Sequence, residues 1–290
     1  MPELPEVETI RRGLAPLIIG KTITAIETSG KSLRQAVPLA AMRAALPGQM
    51  ITAIRRRAKY LLVECGGLLI IHLGMTGNLG VFTAALPPGK HCHVRFRFQG
   101  GDELRYHDSR RFGRIAFLPA PSAEAERQFF AACGPEPSDC DAGLLAEKCR
   151  RLQAPVKAAL LNGALIAGIG NIYASESLFR ARIDPRRAAG ALTLAEWRQL
   201  LAAINQVLNE AIVCGGSTIS DYVNAEQKSG YFQMNFTVYG RAGQPCQHCG
   251  TTIAQTKIAG RSTYFCPKCQ RTGDREQETG NRGQGTGNRR

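Results

Sequence analysis

Cys246-Gln-His-Cys249 and, after sixteen intervening residues, Cys266-Pro-Lys-Cys269 are the stretches that fix one piece of this 290-residue chain first. Two Cys-x2-Cys knuckles at this separation supply four thiolates, the number a tetrahedral zinc takes. All four coordination places are then filled by protein, which leaves none for water and makes the expected single zinc structural rather than catalytic. His248 lies inside the first knuckle and is expected to be a bystander. Between the knuckles, Gly260-Arg261-Ser-Thr-Tyr-Phe265 reads as a hairpin presenting Arg261, either to a phosphate or simply to solvent. The other six of the ten cysteines (Cys65, Cys92, Cys133, Cys140, Cys149 and Cys214) are scattered, as free buried thiols of a reducing cytosol are.

Upstream of the knuckles the texture is helical back to Pro119. Helices are expected near 123–133, 141–150, 156–161, 173–180 and 194–214, with Gly168-Ile-Gly-Asn171 interrupting two of them. From Lys21 to Leu118 short apolar runs dominate, at 49–54, 60–63 and 68–73. Val94, Phe96 and Phe98 alternate there, as do Leu104 and Tyr106. Alternation of period two with Gly and Pro breaks predicts a mostly antiparallel sheet domain, a sandwich. Residues 5–17 predict an amphipathic helix, with Pro5 at its start and Val7, Ile10, Leu14 and Leu17 on one face. The last segment, 272–290, has nothing apolar to bury and is expected to be disordered.

The formal net charge is +14, and the last twenty residues, with five arginines against three acids, contribute only +2 of it. The excess therefore sits on the folded part and points to a polyanionic partner, nucleic acid first. No window approaches the roughly 20 uncharged residues of a membrane span. The opening Met-Pro-Glu-Leu-Pro-Glu is acidic where a signal peptide is basic. A cytosolic location follows as the expectation.

Proline at position 2 permits removal of the initiator methionine, which would leave Pro2 with a free secondary amine titrating near the usual α-amino value of about 8. Such an amine attacks an aldehyde-level carbon to form an iminium, and Glu3 and Glu6 lie close enough in sequence to shuttle protons. The same residues also suit an ordinary helix start. His107-Asp-Ser-Arg-Arg-Phe-Gly113 places arginines and an insertable aromatic on a loop between strands, either a base-pair wedge or a packed turn. Leu73-Gly-Met75-Thr-Gly77 offers a second apolar candidate, and Gly168-Ile-Gly-Asn171 could present amides to a phosphate.

Taken together, Pro2-Glu-Leu-Pro-Glu-Val-Glu8, Ala58-Lys59-Tyr60-Leu61, His72-Leu-Gly-Met75 and Asp108-Ser-Arg-Arg-Phe-Gly113 resemble the formamidopyrimidine-DNA glycosylases of bacteria. So do Gly168-Ile-Gly-Asn-Ile-Tyr-Ala-Ser-Glu176, Val238-Tyr-Gly-Arg241 and the zinc knuckles, in the family's order from residue 2 to about 271. The resemblance implies an α+β protein with an N-terminal β-sandwich and flanking helices (1–132) and a helix–two-turn–helix domain (133–229). A zinc-finger hairpin (230–271) and the tail (272–290) complete it. DNA would lie in the cleft between the domains.

The activity implied is base-excision repair of oxidised purines by a monomer acting on duplex DNA, with abasic-site lyase activity at the same centre. Pro2 would attack C1′ of the damaged nucleotide, Glu3 serve as acid and base, and Glu6 support the site. Lys59 would hold or protonate the sugar and phosphate, and Arg261 act on the phosphate during δ-elimination. Met75, Arg110 and Phe112 match residues that fill the hole left by a flipped base. Asn171 and Arg261 match phosphate clamps, and His91 and Arg151 further DNA contacts, although Leu152 interrupts the basic run there. The segment 217–230 matches the loop that closes over the lesion. Two rival readings stand beside this: the sister group directed at oxidised pyrimidines, which usually carries glycine where this chain has Leu4, and a non-catalytic zinc-dependent DNA binder. The chain keeps Pro2, Glu3 and Lys59 together, as the enzyme readings need.

Overall fold

The computed structural model describes residues 2–215 and 236–271, so the closing loop and the tail expected from the sequence lie outside the described residues. The chain opens with helix α1 (Leu4–Ile18), whose N-cap is Glu3. Val7, Ile10, Leu14 and Ile18 form its buried stripe, while Leu17 is 37% exposed. The buried apolar face ends on Ile18 and not, as the sequence suggested, on Leu17.

After α1 come β1 (Ile23–Thr28), α2 (Leu39–Ala45), β2 (Ala53–Arg57), β3 (Tyr60–Glu64), β4 (Leu68–His72), β5 (Gly77–Thr83), β6 (Cys92–Phe98), β7 (Asp102–Asp108) and β8 (Arg114–Leu118). They form two four-stranded sheets, β1-β6-β7-β5 and β2-β3-β4-β8. Every pairing is antiparallel. Inward residues of both sheets, among them Ile26, Leu61, Ile71, Phe96 and Tyr106, share one core with α1. Leu62, Leu68 and Ile70 point the other way and pack with Phe130. The second sheet is thus covered on both faces, which is why Leu68-Leu-Ile-Ile71 is continuously apolar instead of alternating.

The helical part contains α3 (Ala123–Phe129), α4 (Ala142–Cys149), α5 (Val156–Leu160), α6 (Asn171–Arg180) and α7 (Leu194–Val213). The α7 start is set by a capping box: Thr193 Oγ1 accepts from Glu196 N, and Glu196 Oε2 accepts from Thr193 N. Tyr173, Leu178, Trp197, Leu200 and Ile204 centre a second core, and Leu4 of α1 belongs to it. The last unit is the hairpin β9 (Ala254–Ile258) and β10 (Arg261–Phe265), joined through Ala259 and Gly260, both at positive φ. This is the two-residue turn geometry that right-twisted strands favour. Among the described residues no helix is long and apolar enough to cross a membrane.

Candidate active site

The first residues of the chain are buried at the seam between sandwich and helical core. Glu3 is 2% exposed. Its carboxylate accepts hydrogen bonds from the amides of Gly170 at 2.8 Å, Ile172 at 3.0 Å and Tyr173 at 3.4 Å, so it occupies the N-terminus of α6. Free amides and the helix dipole there favour a negative charge. The glycine turn read from the sequence as a phosphate cradle is filled in this way by the protein's own carboxylate. A Cβ on Gly170 would lie 2.3 Å from Glu3 Cδ, and one on Gly168 (φ +82°) would lie 2.6 Å from Leu4 Cδ1. Both glycines are therefore close-approach positions. Glu6 Oε2 accepts from Glu3 N at 2.8 Å and Glu6 Oε1 from the Tyr173 hydroxyl, which places a second carboxylate beside the first. Pro2, adjoining Glu3, is buried.

Lys59 reaches the same point from the β2–β3 turn, donating from Nζ to Ile169 O at 2.8 Å. Ala58 before it stands at φ +53°, a left-handed conformation that non-glycine residues rarely adopt. Glu136 holds it there: its carboxylate takes Ala58 N together with Arg56 Nη1 and Arg57 Nη1. This carboxylate was not legible in the sequence as part of the site. Burial pushes the Glu3 carboxyl up from the ordinary carboxylate range, against the lowering effect of the Lys59 charge. Burial likewise pushes Lys59 down from the usual lysine value, opposed by Glu3 and Glu6 and assisted by Arg261. Desolvation thus brings the two groups' titrations towards each other, which suits proton transfer between them or through them.

The hairpin tip is fixed against this centre. Ser262 O accepts from Lys157 Nζ at 3.1 Å and from Asn171 Nδ2 at 3.0 Å, and Lys157 also donates to Thr263 Oγ1 at 2.9 Å. Lys157 is fully buried and its ammonium is pushed down to about 8, chiefly by that burial. Sequence reasoning missed it because a lysine in the short helix Val-Lys-Ala-Ala-Leu carries no signal of burial. Next to these anchors Arg261 remains exposed.

The four knuckle sulfurs hold the hairpin's base. Their Sγ atoms all lie within 4.8 Å of one another, with Cys246 and Cys269 at 3.9 Å and Cys249 and Cys266 at 3.5 Å. A tetrahedral zinc with Zn–S near 2.3 Å requires sulfur separations of about 3.8 Å, so Cys246, Cys249, Cys266 and Cys269 fit one ion. His248 lies outside this group and accepts from Arg182 Nη2 at 3.4 Å. No disulfide joins the remaining cysteines. Cys65, Cys92 and Cys149 are buried as expected, but Cys133 and Cys140 are half-buried and Cys214 is exposed at the end of α7.

Arg261 lines a cleft of about 670 Å³ with Arg34, His72, Met75, Arg110 and Phe112. The two loops that carry Met75 and Phe112 are built as one unit. Asp108 Oδ1 accepts from Thr76 Oγ1 and Arg110 N, and Oδ2 from Tyr106 OH and Gly113 N. A Cβ on Gly74 would strike the backbone of Phe112 and Gly113 at 2.5 Å, so the loops lie back to back. Phe112 is 42% exposed, with the Arg110 guanidinium 4.6 Å from its ring centre. Burial and the cations Lys59, Arg34 and Arg114 push His72 down to about 4. The cleft thus combines cationic side chains with protruding apolar ones. His91 and Arg151, both exposed, are not among the residues lining it.

The chain matches three family profiles in order. These are the formamidopyrimidine-DNA glycosylase N-terminal domain at residues 1–115, the formamidopyrimidine-DNA glycosylase H2TH domain at 133–223, and the zinc finger found in FPG and IleRS at 243–272. It is 44% identical over 274 residues to the formamidopyrimidine-DNA glycosylase of Magnetococcus marinus, and 47% identical over 281 residues to that of Alkalilimnicola ehrlichii. Both alignments cover 93% of this chain and all of the relative. A solved complex of a mutant Lactococcus lactis FPG with Fapy-dG containing DNA is 38% identical with a TM-score of 0.85, covering 93% of this chain and 99% of that one. With a buried carboxylate pair at the chain start, a four-cysteine hairpin and these matches along its length, the chain belongs to the formamidopyrimidine-DNA glycosylase family.

Proposed function

We infer that the protein is a base-excision-repair DNA glycosylase that removes oxidised purines and then cleaves the abasic strand. It acts as a monomer on damaged duplex DNA, in the bacterial cytoplasm in association with the nucleoid. The observation that carries the reading is the placement of Glu3, Glu6 and Lys59 around the buried chain start, beside a cationic cleft with apolar side chains exposed in it.

Pro2, freed of Met1, attacks C1′ with its amine; the C1′–base bond breaks and the base leaves with a proton. Extruding the nucleotide costs a few kcal/mol, which Met75, Arg110 and Phe112 offset by filling the hole. The iminium on Pro2 acidifies the neighbouring C2′, and loss of its proton expels the 3′ phosphate. A second elimination expels the 5′ phosphate, with Arg261 holding the departing charge. Glu3 accepts and returns protons at the amine and sugar, Glu6 fixes Glu3, and Lys59 holds the sugar and flanking phosphate. Asn171 is assigned to a phosphate contact, and His91 and Arg151 to further contacts with the duplex. The zinc bound by the four cysteines holds the hairpin and takes no part in bond making.

Borohydride trapping on a duplex carrying 8-oxoguanine opposite cytosine, with mass mapping, tests this. A covalent adduct on Pro2 is the expected result. Intact binding with no adduct would overturn it, and trapping only on oxidised pyrimidine DNA would assign the sister specificity.

A further inference from the structure

The nucleophile-bearing end of α1 does not rest on the domain that α1 mainly belongs to. From Val7 to Ile18 the helix packs into the sandwich core, but Leu4 lies in the helical core with Tyr173, Ala174 and Leu178. Leu4 is 4% exposed, its amide donates to Gly168 O at 3.1 Å, and Gly168 has no room for a Cβ because the Leu4 side chain occupies that space. The side chain at position 4 thus packs on the glycine turn whose Gly170 and Ile172 amides hold Glu3.

We propose that Leu4 is a positioning residue for the Pro2 amine: seated against Gly168 in the helical core, it aims the nucleophile at C1′ without touching substrate. This rests on the reading of Pro2 as nucleophile. Shortening Leu4 leaves Glu3 and Glu6 in place chemically but frees the chain start to shift by about an ångström, a displacement that commonly costs about 100-fold in rate. Base excision and abasic-site cleavage fall together, since both run through the same amine, while DNA affinity is unchanged.

The test compares Leu4→Ala with Leu200→Ala, an equal truncation at a fully buried position of the same helical core. Both lower the melting temperature. Under conditions where both are folded, Leu4→Ala should excise 8-oxoguanine and trap on abasic DNA about 10- to 100-fold more slowly than Leu200→Ala. Binding to a duplex with a tetrahydrofuran abasic analogue should agree within twofold, and Leu4→Met should recover most of the rate. Equal single-turnover rates in the two alanine variants would overturn the proposal. If Leu4→Ala does not fold, Leu4→Val against Leu200→Val reads the same difference. The wild-type trap is run first: its failure on Pro2 would refute the nucleophile, whereas wild-type trapping with equal rates in the variants would refute Leu4 alone.

Discussion

Gly170→Ala isolates the Glu3 seat from every other feature of the site. Gly170 stands at φ −131° and ψ −160°, extended backbone that alanine adopts without strain. The obstacle is Glu3: the new Cβ would meet its Cδ at 2.3 Å, Oε1 at 2.5 Å and Cγ at 2.7 Å. Ordinary contact begins near 3.4 Å, so the carboxylate must retreat by about an ångström. That lengthens the 2.8 and 3.0 Å bonds from Gly170 and Ile172 beyond useful range. Each hydrogen bond to an ionised carboxylate is worth about 1.5–3 kcal/mol net, so the two lost together make about 3 kcal/mol a conservative loss of restraint. If that loss appears in the transition state, single-turnover excision falls about 100-fold. Alanine at an N-cap also costs about 1 kcal/mol, worth a melting decrease of about 2–4 °C. Affinity for abasic-analogue DNA, read by fluorescence anisotropy, should stay within twofold. Gly163→Ala, at a glycine whose Cβ would meet open space, is the silent control. A Gly170→Ala enzyme that excises at the wild-type rate, or whose rate falls only as its binding falls, would refute the assignment of Glu3 to the chemistry.

Lys157→Met removes the ammonium that holds Ser262 O and Thr263 Oγ1, so Arg261 loses its fixed position. On abasic DNA the gel products should shift from β,δ- towards β-elimination by about tenfold, a loss of near 1.4 kcal/mol, and an unchanged ratio would contradict it. Chelating the zinc should abolish tight DNA binding while the sandwich, which shares no core residues with the finger, keeps its melting transition; simultaneous loss of both would show that the finger supports the whole fold. The pH profile of excision should be a bell. Its acid limb, from protonation of Glu3, lies above the ordinary carboxylate range because that group is raised. Its alkaline limb, from deprotonation of Lys59, lies below the ordinary lysine value because that group is lowered. Lys59→Arg, which stays charged, should move the alkaline limb to higher pH even where the peak rate drops several-fold, and a stationary limb would remove Lys59 from that role.

Features written in local spacing were the readable ones. The cysteine knuckles and the alternation in β6 and β7 each depend on residues a few positions apart, and each forms. Helices expected at 141–150 and 194–214 are found at Ala142–Cys149 and Leu194–Val213. Run 49–54 misled. Ile51 is buried, but its backbone pairs with Lys21 and Gly20 outside the second sheet, and the strand proper begins at Ala53. Helix α2 was missed because it buries only Met42 within seven residues, too little for a helical period to register. Glu136, Lys157 and Leu4 act across 78 to 164 positions of sequence, through contacts that no spacing encodes. The resemblance named Pro2, Glu3 and Lys59. It could not say that Glu3 would lie on the helix end that the glycine turn had seemed to offer to a phosphate.

Burial of Glu3 and Lys59 has a physical origin that ties chemistry to assembly. Neither group would be desolvated by its own unit alone. Glu3 sits at the start of a sandwich helix but is buried by α6, and Lys59 projects from the sandwich onto the carbonyl of Ile169. Arg261, whose charge opposes protonation of Lys59, arrives on the zinc hairpin. A sandwich separated from the helical unit would expose both groups to water, where burial no longer raises Glu3 or lowers Lys59 and their titrations move apart again. Isolated charges are costly to bury, and each here is accommodated by a partner from another unit: three α6 amides for Glu3, a main-chain carbonyl for Lys59, and Ser262 O with Thr263 Oγ1 for Lys157. On the proposed reading, desolvation of Glu3 and Lys59 therefore depends on the sandwich and helical unit being packed together, and the cleft between the sandwich loops and Arg261 depends on the hairpin docked beside them.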